Sequence, residues 1–320
     1  MTSIYIYSPS GAVRDRAGFK RGIKRLKHLG YDVEIDPSAL ISVERFAGDD
    51  KERIEAIKRA AKSGADVAMI TRGGYGLSRI LGSLPYKTIA KSIACGTTFV
   101  GLSDFTAFQM ALYAQTQSST WAGPALVSDF GSEEEPDEIM LSCFEDLVSG
   151  RGEGTGWRLS SSASKALFQK GLKNRLSLNI ENAVLWGGNL AMVCSLLGTP
   201  YFPSIDGGIL FLEDVGEHPY KVERMLMQLY HAGVLAKQRA IVFGTFTDYK
   251  LTAHDTGYSL KRVFDFLYET LKIPLICDLP FGHGPLKICL PFGERVTLVS
   301  QENEVFLFWS HHNHSSDHAH

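Results

Sequence analysis

A serine at position 103 occupies the kind of place where hydrolases hold a nucleophile. It belongs to the run GLSDF at 101–105, which follows a predicted strand at 97–100 and opens a predicted helix. A tight strand-to-helix turn lifts a hydroxyl above the sheet, and the free N–H groups of the first helical turn face developing negative charge. The run is not a complete G-x-S-x-G elbow, because Phe105 stands in place of the second glycine. An ordinary N-cap serine is the alternative interpretation.

The run RGGYG at 72–76 also lies between a predicted strand and a predicted helix. Since Gly73 and Gly74 have no Cβ, their N–H groups can approach a ligand closely and act as oxyanion donors, while Arg72 can meet a carboxylate. A phosphate-binding loop is one alternative, although the Lys-Ser/Thr pair and a complete G-x-G-x-x-G are missing. A tight turn with a surface arginine is the other.

A serine nucleophile needs a base, and histidine is the usual one. Five of the ten histidines lie in the last ten residues, 311–320. Of the others, His283 in the loop FGHGP at 281–285 is the best candidate, because small neighbours give it little steric cover; a structural turn histidine is the alternative. The remaining four are His28 and His231 at the ends of predicted helices, His254 in a polar loop, and His218.

A base of this kind is oriented by a carboxylate. Glu213 and Asp214 end the apolar predicted strand at 209–212, which places an acid at the rim of the sheet where ligands gather. An acid that merely terminates the strand fits the pattern equally well. The body of the chain has no H-E-x-x-H or paired His-carboxylate spacing, so we expect no catalytic metal.

Composition excludes several classes of protein. With 44% hydrophobic and 21% charged residues, the chain of 320 residues can bury a core and is neither disordered nor collagen-like. Its net charge of -2 gives no overall attraction to nucleic acid or to an anionic membrane. Five cysteines without a C-x-x-C spacing fit a reducing compartment. Because no signal-like or membrane-spanning apolar run is present, we expect a cytoplasmic protein.

The elements that carry these residues alternate between strand and helix over the first third of the chain. This alternation predicts an N-terminal α/β domain with a parallel sheet over 1–130. The acidic and Gly/Ser-rich segment 131–175 is expected to be a linker and variable loop. A C-terminal β-rich α+β domain is expected over 176–310, with 186–189 opening a helix that runs to Leu197, and a disordered His-rich tail over 311–320.

Eight short motifs in a fixed order resemble those of the LD-carboxypeptidases, the muramoyltetrapeptide carboxypeptidases of murein recycling. The resemblance extends from about residue 4 to residue 300. The motifs are SPSG at 8–11, FAGDDKER at 46–53, RGGYG at 72–76, GLSD at 101–104, GGNL at 187–190, LGTP at 197–200, ILFLED at 209–214, and GH at 282–283 with LPFG at 290–293. The chain departs from the family at Leu102, where an aromatic residue is common, and in the segment from about 130 to 170.

The resemblance implies a catalytic triad of Ser103, Glu213 and His283, assembled across both domains. It also implies an oxyanion hole from backbone N–H groups near Gly74 and Asp104. A homodimer without a cofactor is implied as well.

The expected reaction is hydrolysis of murein tetrapeptides before their terminal D-alanine, at the L-centre of meso-diaminopimelate or L-lysine. Arg72 is expected to bind the free α-carboxylate of this substrate. Two alternatives stay open. One is hydrolysis of peptide-nucleotides of the microcin C type, which would need a base-stacking aromatic group such as Trp157 in the variable loop. The other is a non-catalytic binder of small ligands on an α/β scaffold.

Overall fold

A computed structural model describes residues 1–172 and 177–309. The predicted tail at 311–320 lies outside the described residues. The described strands are β1 (Ser3–Tyr7), β2 (Asp32–Ile35), β3 (Val67–Ile70), β4 (Thr98–Gly101), β5 (Thr120–Ala122), β6 (Gly154–Arg158), β7 (Asn179–Asn189), β8 (Ile209–Val215), β9 (Ala240–Thr247), β10 (Leu275–Ile276), β11 (Leu290–Phe292), β12 (Arg295–Gln301) and β13 (Glu304–Trp309). The described α-helices are α1 (Arg16–His28), α2 (Asp50–Ala60), α3 (Leu77–Ile80), α4 (Tyr86–Ala94), α5 (Phe105–Thr116), α6 (Glu138–Ser149), α7 (Ser162–Leu172), α8 (Leu190–Ser195), α9 (Pro219–His231) and α10 (Leu260–Leu271).

The strands form two sheets, and the predicted α/β class is confirmed. The first sheet has the order β11-β5-β4-β3-β1-β2, in which β1 to β5 are parallel and β11 is antiparallel at one edge. The second has the order β10-β9-β8-β7-β12-β13-β6, with β7 to β10 parallel and the other pairs antiparallel. Parallel strands are buried on both faces, which explains apolar runs such as the fully buried β3.

Helix α5 lies between the two halves of the molecule. Every residue from Phe105 to Tyr113 is buried, and the helix packs against α4 and α3 on the N-terminal side and against β7 and α8 on the C-terminal side. A helix that is apolar on all sides must be buried on all sides. The helix is therefore held in position by both halves of the molecule.

The segment 186–189 was expected to open a helix but belongs to strand β7. Gly187 and Gly188 pair with β8, and a Cβ at position 187 would lie 1.9 Å from the carbonyl oxygen of Phe211. Only glycine permits this approach between neighbouring strands. The helix begins only after this segment, at Leu190, because the Asn189 side chain caps it by accepting a hydrogen bond from Met192 N–H (3.1 Å). It ends at Ser195 rather than Leu197.

The segment 131–175, expected to be a linker and loop, contains α6, β6 and α7 in its described part. Asp137 in the acidic run caps α6 by accepting from the N–H groups of Ile139 (2.9 Å) and Met140 (3.1 Å). The apolar face of α6 packs in the core of the first sheet, whereas β6 pairs with β13 of the second sheet. The division into domains at 130 and 176 stays a prediction.

The C-terminal part of the chain also contributes to the first sheet. The run KICL at 287–290 predicts a strand there, but β11 lies at Leu290–Phe292 and pairs with β5. Periodicity along a sequence cannot identify a partner strand that lies far away in the chain. In the described residues, no helix is both long and apolar enough to cross a membrane.

Candidate active site

Ser103 lies in the tight turn between β4 and α5. Its backbone has φ +65°, a left-handed conformation that is rare for residues other than glycine. The turn leads directly into the helix, since Thr106 N–H donates to the Ser103 carbonyl (2.9 Å). Phe105, which replaces the second glycine of the elbow, is fully buried and stacks on Phe108 with a ring distance of 4.8 Å. The replacement therefore leaves the turn intact, and the half-buried Ser103 stands at its top.

The glycine loop lies directly against this serine. A Cβ at position 73 would lie 2.7 Å from Ser103 Cβ, 2.9 Å from its Oγ and 3.4 Å from Asp104 N. Gly74 follows with φ +119° and is exposed. Neither Gly74 N–H nor Asp104 N–H donates a hydrogen bond to another group in the described part of the chain. Two backbone donors, one in the glycine loop and one in the serine turn, are thus without a partner in the described part of the chain.

The buried Asp104 carboxylate joins three loops, a role that sequence reasoning missed. Its Oδ2 accepts hydrogen bonds from Ser10 Oγ in the first loop and from Leu77 N–H (3.0 Å) at the end of the glycine loop. Burial raises the pKa of Asp104 above its ordinary value, and these two hydrogen bonds oppose that shift. The side chain fixes the glycine loop relative to the serine turn. The SPSG and RGGYG motifs both precede the serine motif, but their spacing alone did not indicate a shared carboxylate.

Glu213 and His283 form a close pair in the C-terminal half. His283 Nδ1 lies 2.7 Å from Glu213 Oε2, and the side chains are 22% and 0% exposed, respectively. Burial lowers the pKa of His283, but the hydrogen bond and the charge of Glu213 outweigh it, so the pKa is raised above its ordinary value. A carboxylate on Nδ1 orients the ring and leaves Nε2 to act as the base.

Gly282 permits this contact. It has φ +144°, and a Cβ there would lie 2.1 Å from Thr245 Oγ1 and 3.2 Å from Glu213 Oε2. Any larger residue would push the loop, and His283 with it, away from β8 and β9. From the sequence, small neighbours such as Gly282 were expected to leave His283 with little steric cover. In the structure, Gly282 instead lets the loop pack closely against the Glu213 carboxylate.

Asn189 connects the two halves of the site, and sequence reasoning assigned it only to a helix start. Its backbone N–H donates to Thr106 Oγ1 (3.1 Å) in the first turn of α5. Its side-chain Nδ2 donates to Glu213 Oε1 (3.2 Å) and to Asp214 Oδ1 (2.9 Å). Burial raises the pKa of Asp214 to about 6. A continuous series of hydrogen bonds therefore runs from Ser103 through Thr106 and Asn189 to Glu213.

A second buried contact holds the histidine loop against the N-terminal half. Lys287 Nζ lies 2.5 Å from Asp129 Oδ1, and each side chain is 2% exposed. Asp129 is further fixed because its Oδ2 accepts from Ala125 N–H (2.8 Å) and Ser128 Oγ (2.9 Å). Removing one partner of such a pair leaves an uncompensated buried charge, so the contact resists separation of the two halves.

The structure groups the predicted residues in two sets. Ser103, Asp104 and Gly74 form one, and Glu213 with His283 forms the other. Within the described residues Ser103 Oγ makes no hydrogen bond, with His283 or with any other group.

Two further predicted residues have different outcomes. Arg72 is half-buried beside Gly74, where its Nη1 donates to the Ala12 carbonyl (3.2 Å). Burial, and after it the charges of Arg14 and Arg45, lower the pKa of Arg72. The peptide-nucleotide alternative would need a base-stacking aromatic group such as Trp157 in a variable loop. Trp157 instead lies in β6, is 9% exposed and donates its Nε1–H to the Cys277 carbonyl (3.0 Å). Its indole is part of the core.

No group of three or more His, Cys, Asp or Glu side chains within 1–172 and 177–309 is arranged to hold a metal ion.

Two family models match the chain. The LD-carboxypeptidase N-terminal domain matches residues 4–123, and the LD-carboxypeptidase C-terminal domain matches residues 182–298. The chain belongs to the LD-carboxypeptidase family. Within these family domains, Ser103 falls in the N-terminal one and Glu213 and His283 in the C-terminal one.

Individual LD-carboxypeptidase relatives agree with this assignment. The crystal structure of muramoyltetrapeptide carboxypeptidase from Oxalobacter formigenes has a TM-score of 0.83 and 38% identity, covering 96% of this chain and 98% of that one. The murein tetrapeptide carboxypeptidase of Pseudomonas aeruginosa is 27% identical over 86% of each chain. The microcin C7 self-immunity protein of Escherichia coli is 27% identical over 91% of this chain and 88% of its own.

Proposed function

We propose that this LD-carboxypeptidase is a serine hydrolase that removes the terminal D-alanine from murein tetrapeptides in peptidoglycan recycling. The bond broken follows the L-centre of meso-diaminopimelate or L-lysine. The observation that carries the proposal is the 2.7 Å contact between His283 and the fully buried Glu213. It supplies an oriented base within the same hydrogen-bonded framework as the Ser103 turn. The relatives named for muramoyltetrapeptide and murein tetrapeptide substrates support the choice of substrate.

The mechanism assigns one task to each group. His283 Nε2 takes the proton from Ser103 Oγ as the oxygen attacks the scissile carbonyl, and Glu213 stabilises the imidazolium that forms. The N–H groups of Gly74 and Asp104 receive the oxyanion, where loss of one donor typically costs about 3 kcal/mol. His283 then gives its proton to the leaving D-alanine amine and activates the water that hydrolyses the acyl-enzyme. Hydrogen bonds of this kind tighten when substrate binds, which brings Ser103 and His283 together.

Arg72 is assigned to the terminal α-carboxylate of the substrate. A guanidinium can donate two parallel hydrogen bonds to a carboxylate, and Arg72 lies on the same loop as the Gly74 donor. The family resemblance adds a homodimer without a cofactor to the proposal. The cysteine usage adds a cytoplasmic location.

A second candidate function is hydrolysis of peptide-nucleotides. The similarity to the microcin C7 self-immunity protein favours it. The buried position of Trp157 weighs against it, because this indole has no exposed face on which a base could stack. A non-catalytic binder is a poorer fit, since simple ligand binding does not require a histidine oriented by a buried glutamate.

The test is D-alanine release by the purified protein from a murein tetrapeptide, with a peptide-nucleotide assayed in parallel. We expect release from the tetrapeptide, abolished in Ser103→Ala and unchanged in Ser83→Ala, which alters an exposed serine outside the site. Turnover that survives Ser103→Ala would eliminate the proposed nucleophile. Cleavage of the peptide-nucleotide alone would replace the proposed function with the second candidate.

A further inference from the structure

Three arginines, Arg14, Arg45 and Arg72, meet beside the glycine loop. Ala12 links two of them, because its carbonyl accepts from Arg72 Nη1 (3.2 Å) and its N–H donates to the Arg45 carbonyl (3.0 Å). Arg14 follows two residues later in the same loop. Both Arg14 and Arg45 are close enough to act electrostatically on Arg72. We call these residues the arginine cluster.

The arginine cluster is adjacent to the reacting centre. Arg72 Nη2 lies 3.8 Å from the position that a Cβ of Gly74 would occupy, and Gly11 N–H donates to the Gly73 carbonyl (3.3 Å). The Arg45 guanidinium carbon lies 5.8 Å from the ring centre of Tyr75, which is 43% exposed. The cluster thus borders the loop that holds the Gly74 donor, on its solvent side.

No carboxylate neutralises the arginine cluster within the described part of the chain. The arginines that form ion pairs there are others, such as Arg53 with Asp50 and Arg59 with Asp36. Three guanidinium groups of like charge repel one another, so their proximity costs free energy that an anionic ligand would recover. One of the three is sufficient for the terminal carboxylate of a peptide substrate. Two remain for another anion.

We propose that Arg14 and Arg45 bind a second carboxylate of the substrate, at the side-chain end of meso-diaminopimelate, and so select this residue over L-lysine. The inference rests on the proposed function. A diaminopimelate side chain ends in a carboxylate beside an ammonium, whereas a lysine side chain ends in an ammonium alone. The lysine ammonium would face the guanidinium groups with nothing to offset the repulsion.

The experiment measures kcat and KM for D-alanine release from two tetrapeptides that differ only in the third residue. The wild-type protein should prefer the diaminopimelate peptide. Arg14→Ala and Arg45→Ala should each raise its KM about tenfold, the loss expected for a charge-assisted hydrogen bond. Each variant should lower the KM of the lysine peptide, because one charge that repels the lysine ammonium is gone. Lys24→Ala, which removes one positive charge from an exposed position of α1, is the matched control and should change neither substrate.

Two outcomes would overturn the inference. They are equal efficiency of the wild-type protein on both peptides, and equal losses on both peptides in the arginine variants. In each of these the wild-type protein still releases D-alanine, so the proposed function stands. Absence of release from both peptides in the wild-type protein would contradict the proposed function itself.

Discussion

Ser103 depends on its own backbone, whereas His283 depends on residues far away in the sequence. Ser103 itself has φ +65° in the turn 101–105, and this conformation sets the position of its side chain. Gly73, which has no Cβ, leaves room for that side chain. The histidine is fixed by Glu213, 70 positions earlier, and its loop by the buried contact between Lys287 and Asp129. The nucleophile therefore responds to local backbone geometry, and the base responds to packing between the two halves.

The largest loss of activity is expected when the pair of Glu213 and His283 is changed. Glu213→Gln keeps the shape of the side chain but no longer fixes the tautomer and charge of His283, so we expect kcat for D-alanine release to fall about 10⁴-fold. Glu217→Gln, four residues later in the chain and paired with Lys221, is the control and should leave kcat unchanged. A loss below about tenfold in Glu213→Gln would show that His283 does not need this carboxylate.

In the nucleophile region, Gly73→Ala tests the space beside the serine. The new Cβ would lie 2.7 Å from Ser103 Cβ, so the serine turn or the glycine loop must shift. A displacement of this kind costs about 10²-fold in kcat. In Gly82→Ala the Cβ would meet only the Tyr201 hydroxyl at 3.2 Å, and we expect normal activity. Full activity of Gly73→Ala with unchanged thermal stability would contradict the close packing described above.

Backbone strain at Ser103 predicts an unusual order of stability. Both Ser103→Gly and Ser103→Ala remove the hydroxyl, but only glycine adopts φ +65° without a steric penalty. The free energy of unfolding of Ser103→Gly should exceed that of Ser103→Ala by about 1 kcal/mol, measured by urea denaturation. Ser83→Gly and Ser83→Ala are the reference pair, because φ of Ser83 is not positive. At position 83 the alanine variant should be more stable than the glycine variant. Equal stabilities at position 103 would argue against strain in the turn.

The smallest effect concerns the pH dependence of the base. Only the neutral imidazole of His283 can accept the serine proton, and Glu213 raises the pKa of this imidazole above 6.5. The value of kcat/KM should therefore fall as the pH decreases, with a midpoint above pH 6.5. In Glu213→Gln the hydrogen bond and charge of the glutamate are lost, whereas burial and the charge of Lys287 still lower the pKa of His283, so this pKa should lie below that of the wild-type protein. NMR titration of the His283 imidazole measures both values. An identical titration in the two proteins would show that the carboxylate does not control this proton.

The same contrast explains which features the sequence could predict. The serine turn was located from a predicted strand, a short polar run and a predicted helix, and strand β4 and helix α5 lie on either side of it. These are local patterns, in which neighbouring residues determine the backbone. Glu213 and His283 stood out as a rim acid and a loop histidine, but their pairing came only from the family resemblance.

Features that need distant partners were missed. Gly187 and Gly188 suggested a turn into a helix, although the close approach of β8 makes them part of a strand. The pairing of β11 with β5 and the link from Asn189 to Thr106 both join residues that are far apart in the chain. No spacing along the sequence indicates such contacts, because the tertiary structure alone brings the partners together.

The central claim is that Ser103 and His283 act as one catalytic unit, and a double-mutant comparison tests it most directly. Groups that act as a unit lose activity together, so kcat for D-alanine release should fall by about 10⁶-fold in Ser103→Ala and in His283→Ala. The Ser103→Ala/His283→Ala double variant should then be no slower than either single variant. If instead the two losses multiply, the serine and the histidine contribute independently, and the proposed proton transfer between them is wrong.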